Sequence, residues 1–82
     1  MCFIDDTMAG KYRDEFRRAA ERFCRKQSSK ERFRISSRGS GPEGVQVVIQ
    51  RRGDRYSEHR LVVAPAEDME GSIFAALEQW SS

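Results

Sequence analysis

Apolar residues recur every three or four positions near the N-terminus and every second position through the middle of the chain. The first pattern runs from about Thr7 to Gln27 and predicts an amphipathic helix with one buried stripe. The stripe consists of Met8, Tyr12, Phe16, Ala19, Ala20, Phe23 and Gln27. Asp6 or Thr7 would cap this helix, and Gly10 could move its start to Lys11.

Three segments of alternating residues then predict three strands of an antiparallel sheet. They cover residues 32–36, 45–50 and 56–64. The side chains expected to face inward are Phe33, Ile35, Val45, Val47, Ile49, Leu61 and Val63. Residues 37–44 contain three glycines and one proline and predict a flexible loop, whereas Gly53 and Asp54 predict a tight hairpin turn.

A second helix is expected after Pro65, which cannot continue the last strand. Its first turns hold Glu67, Asp68 and Glu70, where the helix dipole favours carboxylates. Its buried stripe consists of Met69, Ile73, Ala76, Leu77 and Trp80. The predicted fold is therefore α+β in the order α-β-β-β-α, with a three-stranded antiparallel sheet and both helices on one face.

The size and the cysteines change this picture only slightly. The 82 residues predict a single domain over 1–82, with residues 1–6 as a flexible N-terminal tail. A core this small would benefit from dimerisation.

The N-terminus lacks the basic and apolar regions of a signal peptide, and no segment approaches the ~20 apolar residues of a membrane span. Cys2 and Cys24 are expected to be free thiols, so we predict a cytoplasmic protein without membrane contact.

Charge is distributed unevenly along the chain. All fifteen Lys and Arg residues lie within 11–60, together with seven acids, so this stretch carries +8. The six remaining acids lie in the flanks, and the overall charge is only +2. Arg outnumbers Lys by twelve to three, and guanidinium groups bind phosphate bidentately. The pattern indicates an anionic partner, although a genome that favours Arg codons would also produce it.

Strand alternation places an Arg-rich set of side chains on the sheet face away from the helices. The candidate nucleic-acid-binding residues are Arg32, Arg34, Arg38, Arg52, Tyr56 and Arg60, with Arg38 just beyond the strand in the glycine-rich loop. Arginine contacts phosphates and tyrosine stacks on bases, so this face predicts RNA binding. Val48 and Val62 on the same face indicate that RNA or another chain covers part of it.

Catalytic chemistry is nearly absent from the sequence. His59 is the only histidine, faces inward by alternation and is expected to be structural. No Ser or Cys has a plausible base beside it, and no cluster has metal-ligand spacing. Cys24 lies at the edge of the first apolar stripe as a small core residue. We therefore expect no enzyme, no catalytic residue, no cofactor, no metal and no small-molecule substrate.

Helix, three strands and helix is also the order of double-stranded-RNA-binding domains. That family docks on phosphates with glycine and lysine at the start of its second helix. Here the corresponding residues 65–70 include three carboxylates, which would repel a phosphodiester. The usual binding mode of that family is therefore not expected.

Residues 12–23 carry a second resemblance. Tyr12 precedes the acids Asp14 and Glu15, then Phe16 and the Arg-Ala-Ala-Glu run of residues 18–21. This segment resembles the first helix of the small Alu-domain subunits of the signal recognition particle, in particular the nine-kilodalton one. Members of that family pair their sheets into one curved surface and bind folded Alu RNA on its basic side.

The resemblance weakens beyond the first helix. Residues 30–32 begin the first predicted strand at a similar distance, and Arg38 falls where the family has a basic turn. The second half of the chain has only generic strand residues to compare. The resemblance implies a structured RNA partner, a homo- or heterodimer, and phosphate contacts by Arg32, Arg34, Arg52 and Arg60.

Three functions remain open from the sequence. The first is an RNA-binding module that acts through the open sheet face, as a dimer. The second is a protein-interaction module, an adaptor or inhibitor, that binds an acidic partner protein through the sheet or its edge. Its acidic second helix would pair head-to-tail with the basic helix of another copy. The third is a domain of a larger protein, in which the charge of residues 11–60 serves solubility alone.

Overall fold

The computed structural model describes residues 2–27, 32–41, 44–51 and 58–81. It contains four strands, two α-helices and one short 3-10 turn. In chain order these are β1 (Cys2–Asp5), the 3-10 turn (Gly10–Tyr12), α1 (Arg13–Arg25), β2 (Phe33–Gly41), β3 (Gly44–Arg51), β4 (Glu58–Val63) and α2 (Met69–Ser81).

The sheet is mixed and has the strand order β1-β2-β3-β4. Strand β1 pairs parallel with β2, whereas β2, β3 and β4 form an antiparallel meander. The prediction of a three-stranded antiparallel sheet in the order α-β-β-β-α is therefore wrong, because the order is β-α-β-β-β-α. Helix α1 is the crossover that two parallel strands require. Residues 2–5, expected in a flexible tail, form the edge strand β1.

A disulfide between Cys2 and Cys24 joins β1 to the last turns of α1. The two Cα atoms are 6.1 Å apart, although the residues are 22 positions apart in the chain. The prediction of two free thiols is therefore wrong. A hydrogen bond provides a second connection just after β1: the backbone N–H of Gly39 in β2 donates to the carbonyl oxygen of Met8 at 2.9 Å. The disulfide and this hydrogen bond both hold the short N-terminal strand against the rest of the fold.

Helix α1 starts later than the apolar stripe predicted. Gly10 has φ of 62°, in the left-handed region, and begins a 3-10 turn instead of the helix itself. Met8 consequently lies outside the stripe and is 62% exposed. The remaining stripe is correct over its central part, since Phe16, Ala19, Ala20 and Phe23 are fully buried.

The predicted loop over residues 37–44 is strand over much of its length. Strand β2 continues through Gly41, and the register shifts between Arg38 and Ser40 at a β-bulge. Gly39 occupies the bulge with φ of 69°, which explains why a glycine-rich segment can remain paired. Gly44, with φ of 105°, begins β3 so close to β4 that a Cβ atom there would overlap the Val63 carbonyl oxygen. The predicted turn at Gly53 and Asp54 lies outside the described residues.

Helix α2 begins at Met69 and not directly after Pro65. The Asp68 side chain accepts a 2.9 Å hydrogen bond from the backbone N–H of Gly71, which is the arrangement of a helix N-cap. One predicted acid thus caps the helix and Glu70 lies in its first turn.

Both helices cover the same face of the sheet and share one core with it. The helices contribute Phe16, Ala19, Ala20, Phe23, Met69, Ile73 and Leu77, and the sheet contributes Phe33, Ile35, Val45, Val47, Ile49 and Val63. We call the two helices the helix layer. We call the opposite surface of the sheet, which neither helix covers, the open face.

No helix in the described part of the chain is long and apolar enough to cross a membrane.

Candidate nucleic-acid interface

The pairing register arranges the side chains of the open face in three rows across the sheet. The first row is Phe3, Arg34, Gln50 and Glu58; the second is Asp5, Ser36, Val48 and Arg60; the third is Arg38, Gln46 and Val62. Each row follows from the two-residue period of a strand, which brings every second side chain to the same face. Every row contains one arginine.

The arginines of the open face are exposed to solvent. Arg34, Arg38 and Arg60 lie on β2 and β4, and Arg32 is exposed immediately before β2. Four of the six predicted contact residues are therefore at or beside this surface. Arg38 was predicted to lie in a loop. It belongs to strand β2 instead, because β2 extends through Gly41. The other two, Arg52 and Tyr56, lie outside the described residues.

Two basic side chains of α1 form ion pairs with acids of α2. Arg18 Nε is 2.6 Å from Glu70 Oε1, and Lys26 Nζ is 2.9 Å from Glu78 Oε1, so two ion pairs join α1 to α2. The hydrogen bond to Glu70 raises the pKa of Arg18 above its usual value. The acids that the sequence places near the C-terminus thus neutralise bases of α1 within the same chain.

Further ion pairs surround the start and middle of α1. Arg13 Nε is 3.3 Å from Asp6 Oδ2, and Arg17 Nε is 3.1 Å from Glu21 Oε1. Arg22 lies over the ring of Phe74, with its guanidinium carbon 4.4 Å from the ring centroid. The charge of this surface is therefore largely compensated where α1 meets β1 and α2.

The arginines of the open face form no such pairs in the part of the chain that the structure describes. Neither Arg38 nor Arg60 has a salt bridge among these residues, and Arg34 contacts the ring of Phe3 with 5.6 Å between guanidinium carbon and centroid. The open face therefore presents guanidinium groups that remain able to bind an external anion.

Asp5 lies close enough to Arg34 on this face for their charges to interact. Hydrogen bonds from the Thr7 hydroxyl and backbone N–H lower the pKa of Asp5, and the positive charge of Arg34 acts in the same direction. Asp5 and Glu58 both lie on edge strands, β1 and β4. The central strands β2 and β3 thus carry only basic or neutral side chains on the open face.

The two valines of the open face differ. Val48 is only 5% exposed within the isolated chain, flanked in register by Ser36 and Arg60. Its apolar character therefore requires no covering partner. Val62, in contrast, is 68% exposed on the edge strand β4.

Phe3 is the residue of this surface that the sequence analysis missed. It is 62% exposed and pairs in register with Arg34. The signal was the alternation in residues 2–5, where Cys2 and Ile4 contact the core and Phe3 faces outward. Four residues are too few to distinguish a strand from a tail by pattern alone.

His59 lies on the opposite side of β4. It pairs in register with Ile49, and its ring centroid is 5.5 Å from that of Trp80 in α2. This agrees with the inward orientation expected from alternation, although the ring is exposed. No group of three or more metal-binding side chains occurs among the residues described by the structure.

Comparison with known proteins finds no matching family model, no matching curated protein and no matching solved structure.

Proposed function

We propose that this protein is a non-enzymatic RNA-binding module whose open face contacts phosphates through Arg34, Arg38 and Arg60. The observation that supports the proposal most is the contrast in ion pairing. Arg18 and Lys26 of the helix layer form salt bridges with Glu70 and Glu78, whereas Arg34, Arg38 and Arg60 form no salt bridge among the described residues, and Arg34 senses only the charge of Asp5. Arg32, which is exposed immediately before β2, remains a predicted contact, as do Arg52 and Tyr56, which lie outside the described residues.

The geometry of the open face suits a polyanion. Arg34 and Arg60 lie on the second and fourth strands and in adjacent rows, so strands ~4.8 Å apart and a rise of ~3.3 Å per residue place their Cα atoms about 12 Å from each other. A single RNA strand can reach both. Neutralising phosphates releases condensed counterions, and this release supplies much of the affinity of such modules.

Charge reversal on the open face tests the proposal. We expect Arg34→Glu with Arg60→Glu to weaken RNA binding by about 100-fold or more, because each charge-assisted hydrogen bond contributes ~1.5–3 kcal/mol. The matched control is Arg22→Glu with Arg25→Glu, which changes the net charge equally but on the helix layer, and should retain most of the affinity. Fluorescence anisotropy with labelled RNA at two salt concentrations measures both.

The salt dependence adds an independent criterion. Each lost phosphate contact should reduce the slope of log affinity against log salt by ~0.7–0.9. Equal losses in the two double variants would show that only net charge matters, and retained affinity in Arg34→Glu with Arg60→Glu would exclude the open face as the binding site.

A structured RNA of the Alu type and a dimer of this chain remain predictions from the resemblance of residues 12–23. Light scattering after size-exclusion chromatography, with and without RNA, tests the dimer. A monomer in both conditions would exclude a homodimer, so that only the heterodimer of the prediction would keep the paired-sheet arrangement that the resemblance implies.

The disulfide argues against the predicted cytoplasmic location. Stable disulfides are typical of oxidising compartments, and those of cytosolic proteins are usually transient. Fractionation of cells, followed by mass analysis of the unreduced protein, determines the compartment and the oxidation state together.

A protein-interaction module is the second candidate. The observation that favours it is the exposure of Val62 on β4, an edge strand to which a partner segment could add. The expected pairing of α2 with the basic helix of another copy is less favoured, because Glu70 and Glu78 already pair with α1 in the same chain. A stable protein complex without RNA binding would support this second candidate.

A further inference from the structure

Strand β1 places an aromatic ring beside the arginine at the centre of the proposed interface. We propose that Phe3 and Arg34 form a stacking site for one unpaired nucleobase, so that the RNA bound by the open face includes a single-stranded segment. This inference rests on the proposed function and specifies the kind of RNA.

The Phe3 ring is available for stacking. It is 62% exposed, faces away from the core and contacts no other described aromatic ring. The guanidinium of Arg34 lies 5.6 Å from its centroid, which is within the range of a cation–π interaction. A base on the ring would therefore have its phosphate close to a guanidinium group.

An unpaired base fits this site better than a duplex does. Aromatic side chains bind bases whose faces are accessible, and in a double helix those faces are already stacked on each other. Duplex RNA would present phosphates and hydroxyl groups to the ring, which offer it no apolar contact. Arg60 and Arg38 lie in the second and third rows, on the same side of the first row, and would then contact phosphates that lie to that one side of the stacked nucleotide.

The position of Phe3 is fixed from two sides. Its neighbour Cys2 is bonded to Cys24 in α1, and β1 is paired along its length with β2. A ring on such a strand loses little conformational freedom when it binds, which is the advantage of a preorganised site. A flexible N-terminal tail would not have this advantage.

The test compares two RNAs and four proteins. The RNAs are a labelled 12-nucleotide single strand of mixed sequence and the duplex of that strand with its complement. The proteins are the unaltered chain, Phe3→Ala, Phe3→Tyr and the control Met8→Ala. Met8 is also 62% exposed but lies in the turn after β1, outside the three rows of the open face.

We expect Phe3→Ala to weaken binding of the single strand between about 5-fold and about 100-fold, the range for loss of one base stack. Phe3→Tyr keeps an aromatic face and should remain within about twofold, as should Met8→Ala. The salt slope should not change in Phe3→Ala, because no charge is removed. A 2-aminopurine base in the strand should change its fluorescence on binding to the unaltered protein and much less on binding to Phe3→Ala.

The outcomes separate this inference from the proposed function. If Arg34→Glu with Arg60→Glu abolishes binding but Phe3→Ala binds normally, the stacking site is excluded and the phosphate interface stands. Equal weakening of single strand and duplex by Phe3→Ala also excludes base stacking. If the unaltered protein binds neither RNA, both proposals fail. Circular dichroism checks that each variant is folded. Phe3→Leu, added to the four proteins above, is a second non-aromatic variant and should also bind the single strand more weakly than the unaltered chain.

Discussion

The helix layer and the open face both carry arginines, but among the described residues salt bridges between arginines and acids occur only on the helix layer. On the helix layer, Arg18 and Lys26 pair with Glu70 and Glu78 of α2. On the open face, Arg38 and Arg60 have no salt bridge among the described residues, and Arg34 lies against Phe3. Arginine therefore takes part in ion pairs on one surface, and on the other it remains available to an external anion.

The ion pairs of the helix layer matter more for the electric field than for stability. Their side chains are substantially exposed, and exposed pairs contribute little to the free energy of unfolding. They do reduce the positive potential on one side of the molecule. Under the proposed function, we expect this difference in potential to direct a polyanion to the open face.

The largest expected effect comes from the core that joins the two regions. Phe23→Ala should reduce the free energy of unfolding by about 3–5 kcal/mol, because Phe23 is fully buried and its ring packs 5.6 Å from that of Phe33 in β2. RNA binding should be lost with the fold. Urea denaturation measures the change. Arg25→Ala on the same helix is the control and should have little effect, and a stable Phe23→Ala variant would contradict the described packing.

A smaller loss is expected when the covalent link between the two regions is removed. Cys2→Ser with Cys24→Ser should lower the free energy of unfolding by roughly 3 kcal/mol, the value for a loop of this length. Treatment of the unaltered protein with dithiothreitol should shift its urea midpoint in the same direction. The double variant should not respond to the reductant, and equal midpoints of the oxidised and reduced unaltered protein would contradict a stabilising role of the bond.

Neutralising the acids of α2 tests whether the ion pairs of the helix layer affect RNA binding. Glu70→Gln with Glu78→Gln releases Arg18 and Lys26 from their ion pairs and makes the helix layer more basic. RNA affinity should rise less than about threefold at physiological salt, because charges beyond a Debye length of about 8 Å are screened from the open face. The measurement is anisotropy with the same labelled RNA. A tenfold rise would mean that the helix layer itself becomes a binding surface.

The smallest effect concerns Asp5 at the margin of the open face. Thr7→Val removes the hydroxyl that donates a 2.6 Å hydrogen bond to Asp5 Oδ1, so the lowered pKa of Asp5 should move up towards its ordinary value. A carboxyl group with a lowered pKa stabilises the fold above its unfolded pKa of ~3.9, and this contribution is lost as the pH falls through the folded value. Titration of the carboxyl carbon by NMR measures the shift, and identical curves for the two proteins would contradict the hydrogen bond.

The regular parts of the fold could be predicted from the sequence. The stripe of α1 through Phe16 and Phe23 and the alternation of Val45, Val47 and Ile49 place these side chains in the core, where the structure has them. Alternation likewise placed Arg34 and Arg60 on the side away from the helices. Local periodicity is sufficient in such segments because the residues are numerous and the pattern is unbroken.

The parts that the sequence did not predict depend on contacts between distant residues. Strand β1 is only four residues long and is held by pairing with β2 and by the bond from Cys2 to Cys24. The extension of β2 depends on the conformation of Gly39 at the bulge. Phe3 could not be assigned to the interface because its strand was not recognised. The ionic partners of α1 were equally hidden, since Glu70 and Glu78 lie more than fifty residues from Arg18 and Lys26 along the chain.

We expect RNA to bind the open face and not the helix layer. Amide chemical-shift mapping of the ¹⁵N-labelled protein during titration with the 12-nucleotide single strand tests it most directly. The predicted result is that the largest changes occur at Phe3, Arg34, Arg38, Arg60 and their neighbours on the sheet. Changes concentrated in α1 and α2, or no changes at an RNA concentration that saturates other single-strand binders, would contradict the account.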